Sequence, residues 1–321
     1  MKVLGVITTM LALALSVAAQ TVVVGTGNPD VDVPAVQAAV DGGGEVLLRG
    51  HFSFDRPPTI PTALDGLPPA MVLVSRTVSI SGGPEATIEA GTCPFYIEAP
   101  GASVTIKNLR FIHPTSDAIL VYAVAGLTIA SCKIEGLMPA GGSGSGIALL
   151  TIDAIPTPTQ PGHPENISGR LVIANNDMDL AGGTPSDIAL GIVIFSVGVS
   201  PDREVDIYIS GNHIRNVTEP AVNMRRVGGR AHVENNVLST GPISVGAGEV
   251  IRVANIGSFV IAHNSIHCEW LNPGSVGVGV LSQVPEWPME HAVVIDNEVI
   301  MSLPDGTEFT PFSAGIDIRG F

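Results

Sequence analysis

Three arginines, Arg225, Arg252 and Arg319, share with Asn223 and Asp317 the alternate positions of short apolar strands at 221–225, 250–254 and 315–319. The second and fourth residues of these strands are large and apolar, as in Val222 and Met224 or Ile251 and Val253, so the residues between them point away from the core. A row of planar guanidiniums on such a face can grip carboxylates through paired hydrogen bonds. If the carboxylate belongs to a uronate, neutralising it also makes the adjacent C–H more acidic, and a base held nearby can remove that proton. The face therefore reads as a site for an acidic polysaccharide, with Arg225 and Arg252 as the candidate catalytic groups and Asn223, Asp317 and Arg319 holding the sugar. The competing reading pairs these arginines with Asp317, Glu219 or Glu249 on a solvated surface. Hydrolysis fits less well, because it generally uses two carboxyl groups about 5–10 Å apart. Asp317 is the only acid that the alternation turns outward.

Other reactive side chains are scattered. His163 lies in a Pro-rich insertion near Asp153 and Glu165, where it can wall the same cleft and contribute to substrate binding. His213, His263 and His267 fall at or beside turns, positions that suit solvated or capping roles. Cys93, Cys132 and Cys268 are too few for a disulfide framework and read as buried thiols. No spacing of His, Cys or Asp marks a transition-metal site, and no cofactor is required. Calcium stays open, since backbone carbonyls and scattered carboxylates bind it without a motif.

These strands belong to a repeated phrase. It reads Ile106-Lys-Asn-Leu-Arg-Phe111, Ile129-Ala-Ser-Cys-Lys-Ile134, Ile173-Ala-Asn-Asn-Asp-Met178, Ile209-Ser-Gly-Asn-His-Ile214, Val233-Glu-Asn-Asn-Val-Leu238, Ile261-Ala-His-Asn-Ser-Ile266 and Ile295-Asp-Asn-Glu-Val-Ile300. Each copy alternates like a strand, turns through two small or amide residues, and resumes as a strand. The second corner position is Asn176, Asn212, Asn236 and Asn264 in four successive copies, with Cys132 before and Glu298 after. Asparagine tolerates the left-handed backbone of a tight corner, and stacked amides can bond from copy to copy as a ladder. The spacing between copies is uneven while the phrase is constant, so loops of variable length join fixed strands. A third strand follows each phrase, which predicts three parallel sheets stacked at about 4.8 Å per coil.

In these features the chain resembles the right-handed parallel β-helix proteins, the pectin-lyase-like superfamily, over nearly all of its length after residue 19. The resemblance implies an all-β fold, a three-sheet right-handed parallel β-helix, with a short N-terminal capping α-helix. The helix is placed at about 33–41, with Asp32 as N-cap, Pro34 in the first turn, Val33, Val36 and Val40 on one face, and Gly42 as the stop. In lyases of this kind an Arg or Lys can be the base, a role open here to Arg225 or Arg252. The chain lacks the aspartate and His-Gly signatures of the family's polygalacturonases, the Asp-Pro-His motif of its alginate epimerases and the Arg-x-Pro-x-x-Arg pattern of many pectate lyases. A binding protein without catalysis is thus the leading expectation, and a lyase or epimerase the alternative.

Composition adds limits. Residues 1–19 carry Lys2, an apolar stretch and small residues at Ser16, Ala18 and Ala19, the layout of a signal peptide, which predicts a secreted protein. No other segment is apolar enough for a membrane span. With 15 basic against 30 acidic residues and a net charge of −15, nucleic acid is excluded as a partner. Residues 20–321 read as one domain, with repeat coils from about 45, because a solenoid extends its core coil by coil. The earlier outward strands present Leu120, Tyr122, Ala148, Leu150, Val193 and Phe195, so a loop should cover them, and the insertion at 152–169 is the nearest candidate. The chain stops in mid-coil at Phe321, which implies either truncation or a cover such as a second copy of the chain, a possible self-association.

Overall fold

The computed structural model describes residues 20–63, 67, 69–139, 142–151, 166–182, 187–197, 205–241, 248–269, 276–281, 289–302 and 314–319. The 1–19 segment and His163 lie outside the described residues. Every pairing between the extended strands is parallel, in a solenoid-like stack in which each coil bonds to the next. No helix among the described residues is long and apolar enough to cross a membrane.

The strands among the described residues form two sheets. One has nine strands in sequential order from His51–Ser53 to Glu298–Ser302, and the other has fifteen. The larger sheet absorbs what the sequence suggested as two separate sheets. Its long strands Val222–Glu234 and Glu249–Ala262 bend at Arg226 (φ 55°) and Asn255 (φ 54°), and hydrogen bonding continues past the bend.

The helix spans Pro29–Gly42, starting before the predicted 33. Asn28, not Asp32, is its cap: the Asn28 side chain accepts the Asp30 N–H at 3.0 Å, and Pro29 occupies the first turn, where no donor is needed. Pro34 falls inside the helix instead of in its first turn, and Gly43 closes the end at φ 68°. Asp32 is buried and accepts the N–H and hydroxyl of Thr26, both at 2.8 Å, and the N–H of Ser53 at 2.9 Å. It fastens the helix to the first coils. Val33, Val36 and Val40 are buried, covering the apolar end as the sequence implied.

The ladder is present. Asn176 donates its backbone and side-chain N–H groups to Asn212 Oδ1 at 3.0 and 2.9 Å, and Asn212 does the same to Asn236 Oδ1 at 3.0 Å each. Asn236 continues to Asn264 at 3.0 and 2.9 Å, and Asn264 to Asn297 at 3.0 and 2.8 Å. The last rung is therefore Asn297 and not Glu298. Ala262 pairs with Ile295 and Ser265 with Glu298, so the seventh phrase begins at Val294, one residue earlier than the sequence suggested. Ile295 and Ile300 consequently lie half-exposed, while Val299 packs partly against the core. The left-handed residue is the one before each rung: Asn175, Gly211, Asn235, His263 and Asp296 all have φ between 51° and 65°. The rung asparagines serve as hydrogen-bonding groups and not as strained corners.

Inside the stack, Ile106, Ile129, Ile173, Ile209, Val233 and Ile261 form one fully buried row. Burial of each such side chain contributes about 1.5–3 kcal/mol relative to exposure. Cys93, Cys132 and Cys268 are buried thiols outside any disulfide. Burial pushes the Cys132 thiol up to about 12, and the Cys93 thiol is raised well above its usual range by burial with the Asp117 charge behind it.

Candidate functional site

The outward side chains form two columns along the stack. One runs Tyr96, Leu120, Ala148, Val193, Asn223, Arg252, Gly279, Asp317, and the other runs Leu150, Phe195, Arg225, Ala254, Leu281, Arg319. Strand alternation thus brings Asn223, Arg225, Arg252, Asp317 and Arg319 to one face. His163, the other residue expected at this face, lies outside the described residues.

The apolar half of these columns is sealed. Tyr96, Leu120, Ala148, Leu150, Val193 and Phe195 join Ala70 and Cys93 in a second buried cluster, separate from the core of the tube. Ile60 and Leu67 pack on it; Ile60 and Ala70 form an antiparallel bridge, and the Ala63 N–H donates to the Tyr96 hydroxyl at 3.0 Å. Among the described residues, Ile60, Ala63, Leu67 and Ala70 cover the Tyr96 end of the cluster, and residues 152–165 of the predicted 152–169 insertion lie outside the described residues.

In the charged half, the guanidinium carbon of Arg225 lies 5.4 Å from the centre of the Phe195 ring, and its Nε donates to Asn223 Oδ1 at 3.3 Å. Its two terminal nitrogens have no hydrogen-bond partner among the described residues. Arg252, one coil further on, is ion-paired with Glu249. Gly279 makes that pairing possible, because a Cβ there would collide with the Glu249 side chain. Arg319 is ion-paired with Asp317. Two of the three arginines are thus neutralised by neighbours, as the competing reading held, while Arg225 feels Glu249 and Glu219 only at a distance and has no ion pair within 4.0 Å among the described residues.

Burial, with the positive charge of Arg252 beside it, pushes Arg225 down to about 10, so it remains protonated at neutral pH. Half-buried Glu219 is raised by desolvation, against the pull of Arg252 and Arg225 and with added repulsion from Glu249. Its carboxyl therefore holds a proton more readily than an ordinary glutamate, and the sequence had marked it only as a salt-bridge partner. Glu249 had been named as a partner in the same way, and the room that Gly279 leaves for it appears only once the coils are stacked.

The other histidines sit elsewhere. His213 lies 3.5 Å from Asp177, His267 bonds Ser302 at 2.8 Å, and His263 is an exposed left-handed corner. No group of three or more His, Cys, Asp or Glu among the described residues is arranged to hold a metal. Comparison of the chain with protein-family models, curated proteins and solved structures finds no match.

Proposed function

We propose that this protein is an exported right-handed parallel β-helix protein of the pectin-lyase-like kind, three-faced, released after residue 19, whose outward face binds an acidic polysaccharide. The observation that carries this is Arg225. Its fork rests on an aromatic ring, is oriented by Asn223, and offers both terminal nitrogens to a ligand. A uronate carboxylate matches that fork, and its charge would offset the repulsion between Arg225 and Arg252. Asp317 and Arg319, further along the same columns, supply exposed polar contacts for the next sugars.

Calorimetric titration with uronate oligomers tests the assignment. Arg225→Ala should weaken binding about 10–100-fold, the effect of losing a charge-assisted hydrogen-bonded pair. Arg319→Ala, which removes an exposed and already paired group, should change it little. Unchanged binding by Arg225→Ala would sink the proposal.

A second reading, elimination with Arg225 as the base, draws on its depressed proton affinity. With Arg225 near 10, about one molecule in a thousand has it neutral at pH 7. Formation of unsaturated product in the same mixtures should then rise with pH towards about 10. Arg252, held charged by Glu249, fits neutralisation of the carboxylate and not proton abstraction.

A further inference from the structure

Two sequences, Asn166-Ile-Ser168 and Asn216-Val-Thr218, carry the Asn-x-Ser/Thr pattern in which exported chains accept an oligosaccharide on the asparagine amide. The structure tells them apart. In the second, the fold uses both polar side chains: the Asn216 amide donates to Asp179 Oδ1 at 2.7 Å, and the Thr218 hydroxyl accepts the Ala189 N–H at 2.7 Å while donating to Asp187 O at 3.0 Å. In the first, the anchor is the residue between. Ile167 is fully buried and bridges Val124, whose carbonyl accepts the Ser168 N–H at 3.0 Å. Alternation then turns Asn166 and Ser168 outward together, both partly exposed. Neither side chain makes a hydrogen bond among the described residues, so no contact there accounts for an amide and a hydroxyl at these two positions.

Resting on the export reading alone, and independently of any ligand at Arg225, we propose that Asn166 carries an N-linked oligosaccharide. The donor is a lipid-pyrophosphate-linked oligosaccharide. Asn166 Nδ2 bonds to its anomeric carbon, the bond from that carbon to the pyrophosphate oxygen breaks, the lipid pyrophosphate leaves with the electron pair, and one amide proton passes to a base of the transferase. The chain with its 1–19 segment, produced in a secreting eukaryotic cell, tests this by peptide mass spectrometry after amidase treatment, which releases the sugar and converts the acceptor asparagine to aspartate. Conversion at position 166 is expected, lost completely in Asn166→Gln and Ser168→Ala and kept in Ser168→Thr. Asn166→Gln removes no bond among the described residues, so it should be exported as well as the parent chain. An exported chain unmodified at 166 overturns the inference and leaves the export reading standing, whether or not Asn216 is modified. A chain that is neither exported nor modified overturns both.

Discussion

The two halves of the solenoid use the same columns in opposite ways. Before Asn176 the corner positions are Ala86, Leu109 and Cys132, all buried and none an amide, and the outward face is apolar and sealed. The core there is aromatic: Phe52, Phe54, Phe95 and Phe111 are fully buried, with Phe95 and Phe111 meeting edge to face at 6.0 Å. From Asn176 onwards the corner is an amide ladder, and after one more apolar coil at Val193 and Phe195 the outward face turns polar at Asn223. Cohesion has moved from apolar contact outside the tube to hydrogen bonds along its edge. The later coils can therefore leave charged groups facing outward without a second apolar cluster to hold them.

The comparison breaks if the ladder is not what holds the second half. Asn236→Ala removes an amide that accepts two N–H groups of Asn212 and donates to Ile209 O and Asn264 Oδ1. It strands buried donors and acceptors, so a loss of about 3–5 kcal/mol is expected by denaturant unfolding. A loss below about 1 kcal/mol, the net worth of one ordinary hydrogen bond, would assign cohesion there to the aliphatic core instead.

Much of this arrangement was legible in the sequence, because alternation and the repeated phrase are local signals that stacking amplifies. Asn176, Asn212, Asn236 and Asn264 could be placed in one column from the phrase alone, as could Arg225 and Arg252 on one face. The slip at Asn297 arose because Ile295 and Ile300 imitate the aliphatic frame of the other copies. Only pairing with the previous coil distinguishes them. The residues that cover Tyr96, Ile60, Ala63 and Leu67, follow no periodicity and left no signal, and the Asn28-Pro29 start of the helix was hidden by the equally plausible Asp32 and Pro34. The pairing of Glu249 with Arg252 was among those the sequence offered, while the room that Gly279 leaves for it in the next coil shows only once the coils are stacked.

A second test asks whether the sealed half is dry. Asp117, at its rim, is buried and accepts the Ser145 N–H at 2.8 Å; desolvation pushes it up to about 6. A carboxyl whose folded value is raised binds an extra proton in the folded state, so its stabilising contribution is complete below about 4 and is lost as pH rises through about 6. Between those limits Asp117→Asn should gain about 2–3 kcal/mol on the native protein, measured as the difference between their unfolding free energies across pH. A pH-independent difference would mean that water reaches this face.

The smallest effect sharpens the boundary itself. Cys132 already donates its N–H to Asn176 Oδ1 at 2.9 Å, and its Sγ lies 3.9 Å from Ile106 O, the place where each rung amide finds a carbonyl. Cys132→Asn should therefore extend the ladder by one rung and stabilise by about 1 kcal/mol in chemical denaturation. Destabilisation would show that the first half rejects an amide at its corner.

The uneven spacing of the rungs has a consequence for how such a chain can change. Asn212 follows Asn176 by 36 positions and Asn236 follows Asn212 by only 24, yet both steps close with the same pair of bonds. Lengthening a closed loop costs only slowly growing entropy. Segments between coils can thus be inserted, shortened or exchanged while the scaffold beneath keeps its alignment, so new specificities can evolve at the rim with little penalty to the tube.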